Sequence, residues 1–171
     1  MSLQVILAHT PIWVWVLLVY LVIRGLAAMK PRDVSVPRML MVPVLFLAWG
    51  LYGIVTQLHQ LSYAFAAFVA AFVVGLGIGW LLAKGREPAR RDPATGLIHR
   101  PGSPVMLVLI LVAFCSKFAL LAALGYQPEL ATDPGYNSLY GAIAGVVSGV
   151  FWGGSLLVLR QAFATGASAR I

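Results

Sequence analysis

Five runs of about twenty mostly apolar residues fill most of this chain, and they restrict it to folding in a lipid solvent. Turn-forming or charged residues bound them at about 10–29, 37–58, 61–83, 105–124 and 138–160. An apolar helix of that length crosses the roughly 30 Å hydrocarbon core of a bilayer. The expected fold is therefore all-α: one transmembrane domain over residues 1–171, an integral membrane bundle of five transmembrane helices. Composition agrees, since 61% of residues are hydrophobic and 10% are charged, against about 25% charged in a soluble domain. The opening "MSLQVILAHTPIW" has no basic n-region and no obvious cleavage site, so the first run is expected to stay in the mature protein. Pro11 suits a first helical position behind Thr10, and Pro43 is expected to kink the second helix near its start.

The net charge of +7 follows the same pattern. Arg24, Lys30, Arg32 and Arg38 cluster between runs one and two. Lys84, Arg86, Arg90, Arg91 and Arg100 fall between runs three and four, and Arg160 and Arg170 follow run five. With five crossings, all of these lie on one side, so the positive-inside rule places the N-terminus outside and the C-terminus inside. The charge is thus a topology signal with some attraction for anionic headgroups. Nothing resembles a base-reading module, so nucleic acid is not expected as a partner. Residues 84–104 form a long, basic inner loop, in which "LIH" reads as a short extended piece and His99 as a solvated residue.

Small residues are expected to set the helix packing, because helices in lipid associate by close approach. Gly141, Gly145, Gly149 and Gly153 recur every fourth residue, as do Ala67, Ala71, Gly75 and Gly79. Both stripes are expected to meet a neighbouring helix, within the subunit or across a homodimer.

Of the twelve basic residues, Lys117 alone breaks the charge pattern. It lies in "VLILVAFCSKFALLAAL", about eight residues from the outer end, so roughly 11 Å deep. Its helical neighbours Ala113, Phe114, Leu120 and Leu121 offer it no hydrogen-bond partner. Two readings stand. Lys117 snorkels outward to an outer-loop carboxylate or helix-end carbonyls, or it faces a polar cavity and binds an anionic group or handles protons. The nominated ligand-binding set is Lys117, His59, Tyr63, Glu129 and Asp133. Trp13, Trp15, Tyr63, Tyr126, Tyr136 and Tyr140 are expected to form an outer aromatic belt.

No catalytic residues are nominated: the chain has no phosphate loop, no HExxH and no nucleophile elbow. Ser116 and Lys117 point in different directions on a helix and make no dyad. An enzyme is the less favoured class. Cys115 is the single cysteine, so a disulfide within the chain is excluded. His9 and His59 are the candidates for a shared metal or haem site; no cofactor is named.

The stretch "TGLIHRPGSPVMLVLILVAFCSKFAL" with "GAIAGVVSGVFWGG" resembles a family of small, uncharacterised bacterial inner-membrane proteins and, more distantly, the CcdC-like membrane proteins associated with cytochrome c biogenesis. The residues that carry the likeness are Gly102, Ser103, Lys117, Phe118, Gly145 and Gly149. The resemblance implies the bacterial cytoplasmic (inner) membrane and a multi-pass helix bundle, but no activity. Three function classes follow: an accessory or assembly protein acting through helix packing with itself or a membrane-protein partner, a small transporter or receptor with an outer-leaflet polar pocket at Lys117, and a haem- or metal-bearing redox protein.

Overall fold

A computed structural model describes residues 12–85, 88–92, 95–100 and 102–168. His9, Thr10 and Pro11, and with them the start of the first run, lie outside those residues. The described residues are mostly helical. In order come α1 (Ile12–Ala27), β1 (Arg32–Val34), α2 (Val36–Gln57), α3 (Leu61–Lys84), β2 (Arg90–Arg91), β3 (Ile98–Arg100), α4 (Pro104–Tyr126), a 3-10 turn (Pro128–Thr132) and α5 (Pro134–Ser168). The helices α2 to α5 are each long and apolar enough to cross a membrane, while α1 is shorter. Pro43 lies inside α2.

Two inter-helix seams organise the bundle. Side chains added to Gly141, Gly145, Gly149 and Gly153 would run into the α3 backbone at Ala64, Phe68, Phe72 and Leu76 respectively. Gly75 and Gly79 answer from α3, against Val146 and Val150 of α5. The two backbones therefore lie close enough that only the missing Cβ atoms permit the contact. Ala67 and Ala71 are only partly buried, and the α3 residues that meet the glycines are one position further on. The reason is rotational: the glycines take the carbonyl ridge of Ala64, Phe68, Phe72 and Leu76, which lies beside the Ala67 row. On the other side of the bundle, Leu21, Phe46, Trp49, Ile110, Phe114 and Phe151 form an apolar core shared by α1, α2, α4 and α5. The Phe46 and Phe151 rings stack at 4.8 Å.

The ends are tied by backbone hydrogen bonds. At one end the His59 amide donates to the Ala131 carbonyl at 2.9 Å, joining the α2–α3 turn to the 3-10 turn. At the other, the Ser103 amide donates to the Ala28 carbonyl at 2.9 Å. This second end carries a small antiparallel sheet in the order β1-β3-β2. Strand alternation splits its faces. Val34 and Ile98, paired across β1 and β3, are buried on Met39, Val158 and Ala162. Asp33 and His99 face outward, 2.8 Å apart. The described part of the α3–α4 connection is therefore more ordered than its composition suggests: the extended piece at 98–100 is the central strand, and His99 has a carboxylate partner. It also explains the length of α5. Its last turns lie beneath the sheet, where Gln161 accepts a hydrogen bond from the Ala89 amide.

Candidate functional site

The face of α4 turned into the bundle carries Ile110, Ala113, Phe114, Lys117, Leu120 and Leu124, at steps of three and four residues. Lys117 thus occupies a position where helical periodicity demands an apolar residue. Its side chain is completely buried, and its Nζ has no hydrogen-bond partner among the described residues. Rather than reaching outward, the nitrogen lies 4.6 Å from the centre of the Tyr140 ring and 5.9 Å from that of Trp49. Neither Glu129 nor Asp133 is within ion-pair distance. Snorkelling is therefore corrected: Lys117 lies about nine residues from Tyr126, about 13 Å along the axis, and turns sideways between helices. Contacts with aromatic faces offset about 0.5–2 kcal/mol. Placing an amine at this depth costs about 2.5–3.5 kcal/mol on insertion scales.

The opposing wall comes from α5, which carries Asn137, Tyr140, Ala144 and Ser148 along one stripe, about 100° round the helix from its glycines. Asn137 is fully buried; its Nδ2 donates to the Ala131 and Asp133 carbonyls at 3.0 and 2.6 Å, while its Oδ1 has no partner among the described residues. The Tyr140 hydroxyl is likewise buried and without a hydrogen-bond partner among the described residues. It reaches α2 at Gly53, where any Cβ would overlap it. Gly50, one turn earlier, leaves the space into which Lys117 extends: a methyl group there would lie 3.5 Å from Ala144, 3.6 Å from Ser148 and 3.8 Å from Lys117 Nζ. Ser148 makes only a long contact, 3.5 Å, to the Phe46 carbonyl. The site is thus a lysine nitrogen and a tyrosine hydroxyl, enclosed by aromatic rings and two glycines, with the polar groups of Asn137 and Ser148 along the same wall.

The other nominated residues stand apart from it. His59 and Tyr63 are exposed at the α2–α3 turn. Glu129 is exposed on the 3-10 turn, and the Asp133 carboxylate accepts a hydrogen bond from the Tyr136 amide at 2.6 Å, capping α5. Tyr136 and Tyr140 are not belt residues: both are buried, and the Tyr136 hydroxyl donates to the Leu120 carbonyl. Trp15, Tyr63 and Tyr126 do face outward, and the Trp13 side chain lies outside the described residues. Ser116 turns back to the Val112 carbonyl at 2.8 Å. Among the described residues no three His, Cys, Asp or Glu side chains gather at one point, and His9, the other metal candidate, is not among them. The sequence did offer one sign of the α2 wall: Gly50 and Gly53 lie three residues apart inside a run otherwise rich in large apolar residues.

Gly53 provides a direct check on this geometry. Gly53→Ala would gain about 0.5–1 kcal/mol of helix propensity in isolation, but here its methyl displaces the Tyr140 hydroxyl. The variant is expected to melt below wild type, by about 1–3 kcal/mol. Adding Tyr140→Phe removes the obstructing oxygen and should restore most of that loss. Additive effects of the two substitutions would show that the hydroxyl does not lie at Gly53.

The chain belongs to DUF6622, a family of unknown function, with the match covering residues 1–168. Comparison with curated proteins and with solved structures gives no match.

Proposed function

We propose that this DUF6622 member is a small membrane transporter or receptor whose binding site is centred on Lys117, within the bundle. One observation carries the reading: a wholly buried lysine nitrogen lies 4.6 Å from the centre of a buried tyrosine ring, and neither that nitrogen nor the tyrosine hydroxyl has a hydrogen-bond partner among the described residues. An ionisable side chain inside a membrane bundle marks a functional site by default. A partnerless pair of donors marks what the ligand supplies. One cation and one hydroxyl match the two oxygens of a single carboxylate, and the ring walls suit an apolar body attached to it. The proposed ligand class is therefore a small monocarboxylate.

The proposed access is from the side. An apolar groove between α1 and α2 is lined by Val16, Leu17, Tyr20, Leu45, Ala48, Trp49 and Tyr52. Trp49 borders both the groove and Lys117, whose Nζ is 5.9 Å from the centre of its ring, and is the proposed gate between them. In the orientation read from the basic residues, the sheet end faces the cytoplasm and the 3-10 turn lies outside, with α1 as a fifth crossing. A bacterial inner membrane is the setting that the sequence resemblance supports.

The assembly reading loses the surface from which it was drawn, because α3 occupies the α5 glycines. Melting the purified protein in mild detergent against a series of straight-chain monocarboxylates tests the binding reading. Wild type should gain about 2.7 kcal/mol at a hundred times the dissociation constant, and folded Lys117→Met should gain nothing. Equal shifts in both proteins would remove Lys117 from any site.

A further inference from the structure

The polar side chains buried inside the bundle are not scattered. Among the described residues, and apart from Lys117 and the tyrosines, they are Asn137, Ser148 and Ser155, and all three belong to α5. At about 100° per residue, Asn137 and Ser155 point the same way about five turns apart, and Ser148 lies within about 20° of both. One line down α5 therefore carries all of them, with Tyr140 and Phe151 beside it.

The two serines have different surroundings. Ser148 faces the Lys117 site: a methyl group at Gly50 would lie 3.6 Å from its Oγ and 3.8 Å from Lys117 Nζ. Ser155 is about 10 Å further along the axis. It lines a hollow of about 60 Å³ at the sheet end, whose wall also holds Lys30, Arg32 and Ser103. Lys30 is exposed, so the hollow borders the aqueous surface. There is room in it for several waters, and the basic side chains draw an anion towards it. Phe151 takes the turn between the two serines. It lines the hollow as well, and its ring stacks on that of Phe46 from α2, 4.8 Å away with the planes 11° apart. The stacked pair thus occupies the level between Ser148 and the hollow.

We infer that the hollow is the sheet-end vestibule of a transport route that runs from the Lys117 site along the polar line of α5, with Phe46 and Phe151 as its gate. This rests on the reading of Lys117 as a binding site and decides between its two forms: a receptor needs one opening, a transporter two. The groove beside Trp49 is the first opening, and the hollow is the second. Packing alone gives no reason to bury hydroxyls on both sides of an aromatic stack, because buried polar groups cost free energy that apolar ones do not. A carboxylate on this route exchanges hydration for Lys117, then Ser148, then Ser155, and leaves past Lys30 and Arg32. With the rings stacked the route is shut at the sheet end, as a membrane that must not leak requires.

Thiol accessibility in lipid nanodiscs, where both membrane faces meet water, tests the route without any ligand. Cys115, the single cysteine, is replaced by alanine, and Ser148→Cys or Ser155→Cys then supplies the only thiol. The probe is a water-soluble cationic methanethiosulfonate, and mass spectrometry follows its addition. Ser155→Cys should react about tenfold faster than Ser148→Cys, since only a thiolate that water can reach is attacked. Adding Phe151→Ala should raise the Ser148→Cys rate by about tenfold, because the truncated side chain leaves a cavity. Phe151→Leu, which keeps apolar bulk but loses the ring, should act in the same direction and serves if the alanine variant does not fold. Leu124→Ala, a truncation towards the other end of the bundle, should leave the rate unchanged within about twofold. Equal rates at the two thiols, a Ser148→Cys rate indifferent to Phe151, or an equal rise with Leu124→Ala would overturn the route. A carboxylate-dependent melting shift that persists in that event leaves Lys117 as the site of a receptor. Absence of any such shift would overturn the binding site, and the route with it.

Discussion

Gly149→Leu is expected to abolish the folded bundle or to lower its melting temperature by a wide margin. A side chain at this position runs into the Phe72 carbonyl, the Leu76 amide and the Gly75 Cα of α3, all of them backbone atoms that cannot rotate away. Accommodating a leucine means pushing two long helices apart along their whole seam. The glycines before and after it, Gly145 and Gly153, meet Phe68 and Leu76 in the same way. Overpacking at one position of a well-packed core costs about 1–3 kcal/mol; loss of a seam between 24- and 35-residue helices exceeds that. Gly77→Leu is the matched control. It lies on α3 too, but a Cβ there meets nothing within 4 Å. That variant should melt at or above the wild-type temperature, since glycine is a poor helix residue. Thermal melts of both variants in one detergent check the pair, and equal behaviour would mean that α3 and α5 do not pack through this seam.

Lys117→Met is expected to do the opposite and raise the melting temperature. Methionine fills a similar volume and needs no solvation or partner. Replacing buried charge with a well-packed apolar residue often stabilises by about 1–4 kcal/mol. In a chain of this size each kcal/mol moves the midpoint by roughly 2–4 °C. Aromatic contacts from Tyr140 and Trp49 reduce the gain without cancelling it. A stabilised but inactive variant is the signature of a group retained for function rather than for folding. A lower midpoint would instead assign Lys117 a structural role.

The membrane-crossing helices were legible because their signal is length and apolarity, which need no knowledge of neighbours. Helix ends were less so: α5 extends to Ser168 because its last turns lie under a sheet whose strands come from two separate connections. That sheet was legible only in part, since Ile98–Arg100 has a strand-like pattern while Arg32–Val34 and Arg90–Arg91 are too short and polar to stand out. The glycines announced a close approach, but not the exact α3 ridge that meets them. The direction of Lys117 was hidden for a deeper reason. Helix α4 is apolar on every side, so no polar stripe marks which face turns inward. Outer carboxylates then looked like the natural partners, and the tyrosines of α5 like an interfacial belt. Only packing decides that Tyr140 turns inward to Gly53 and that Asp133 is taken up by the first turn of α5.

Native mass spectrometry of wild type and Lys117→Met, released gently from the membrane in which they were made, is the sharpest test of a ligand site at Lys117. Wild type is expected to retain a small carboxylate mass that the folded variant lacks. A wild-type protein that carries no such mass, or one that Lys117→Met retains equally, would contradict a binding site at Lys117.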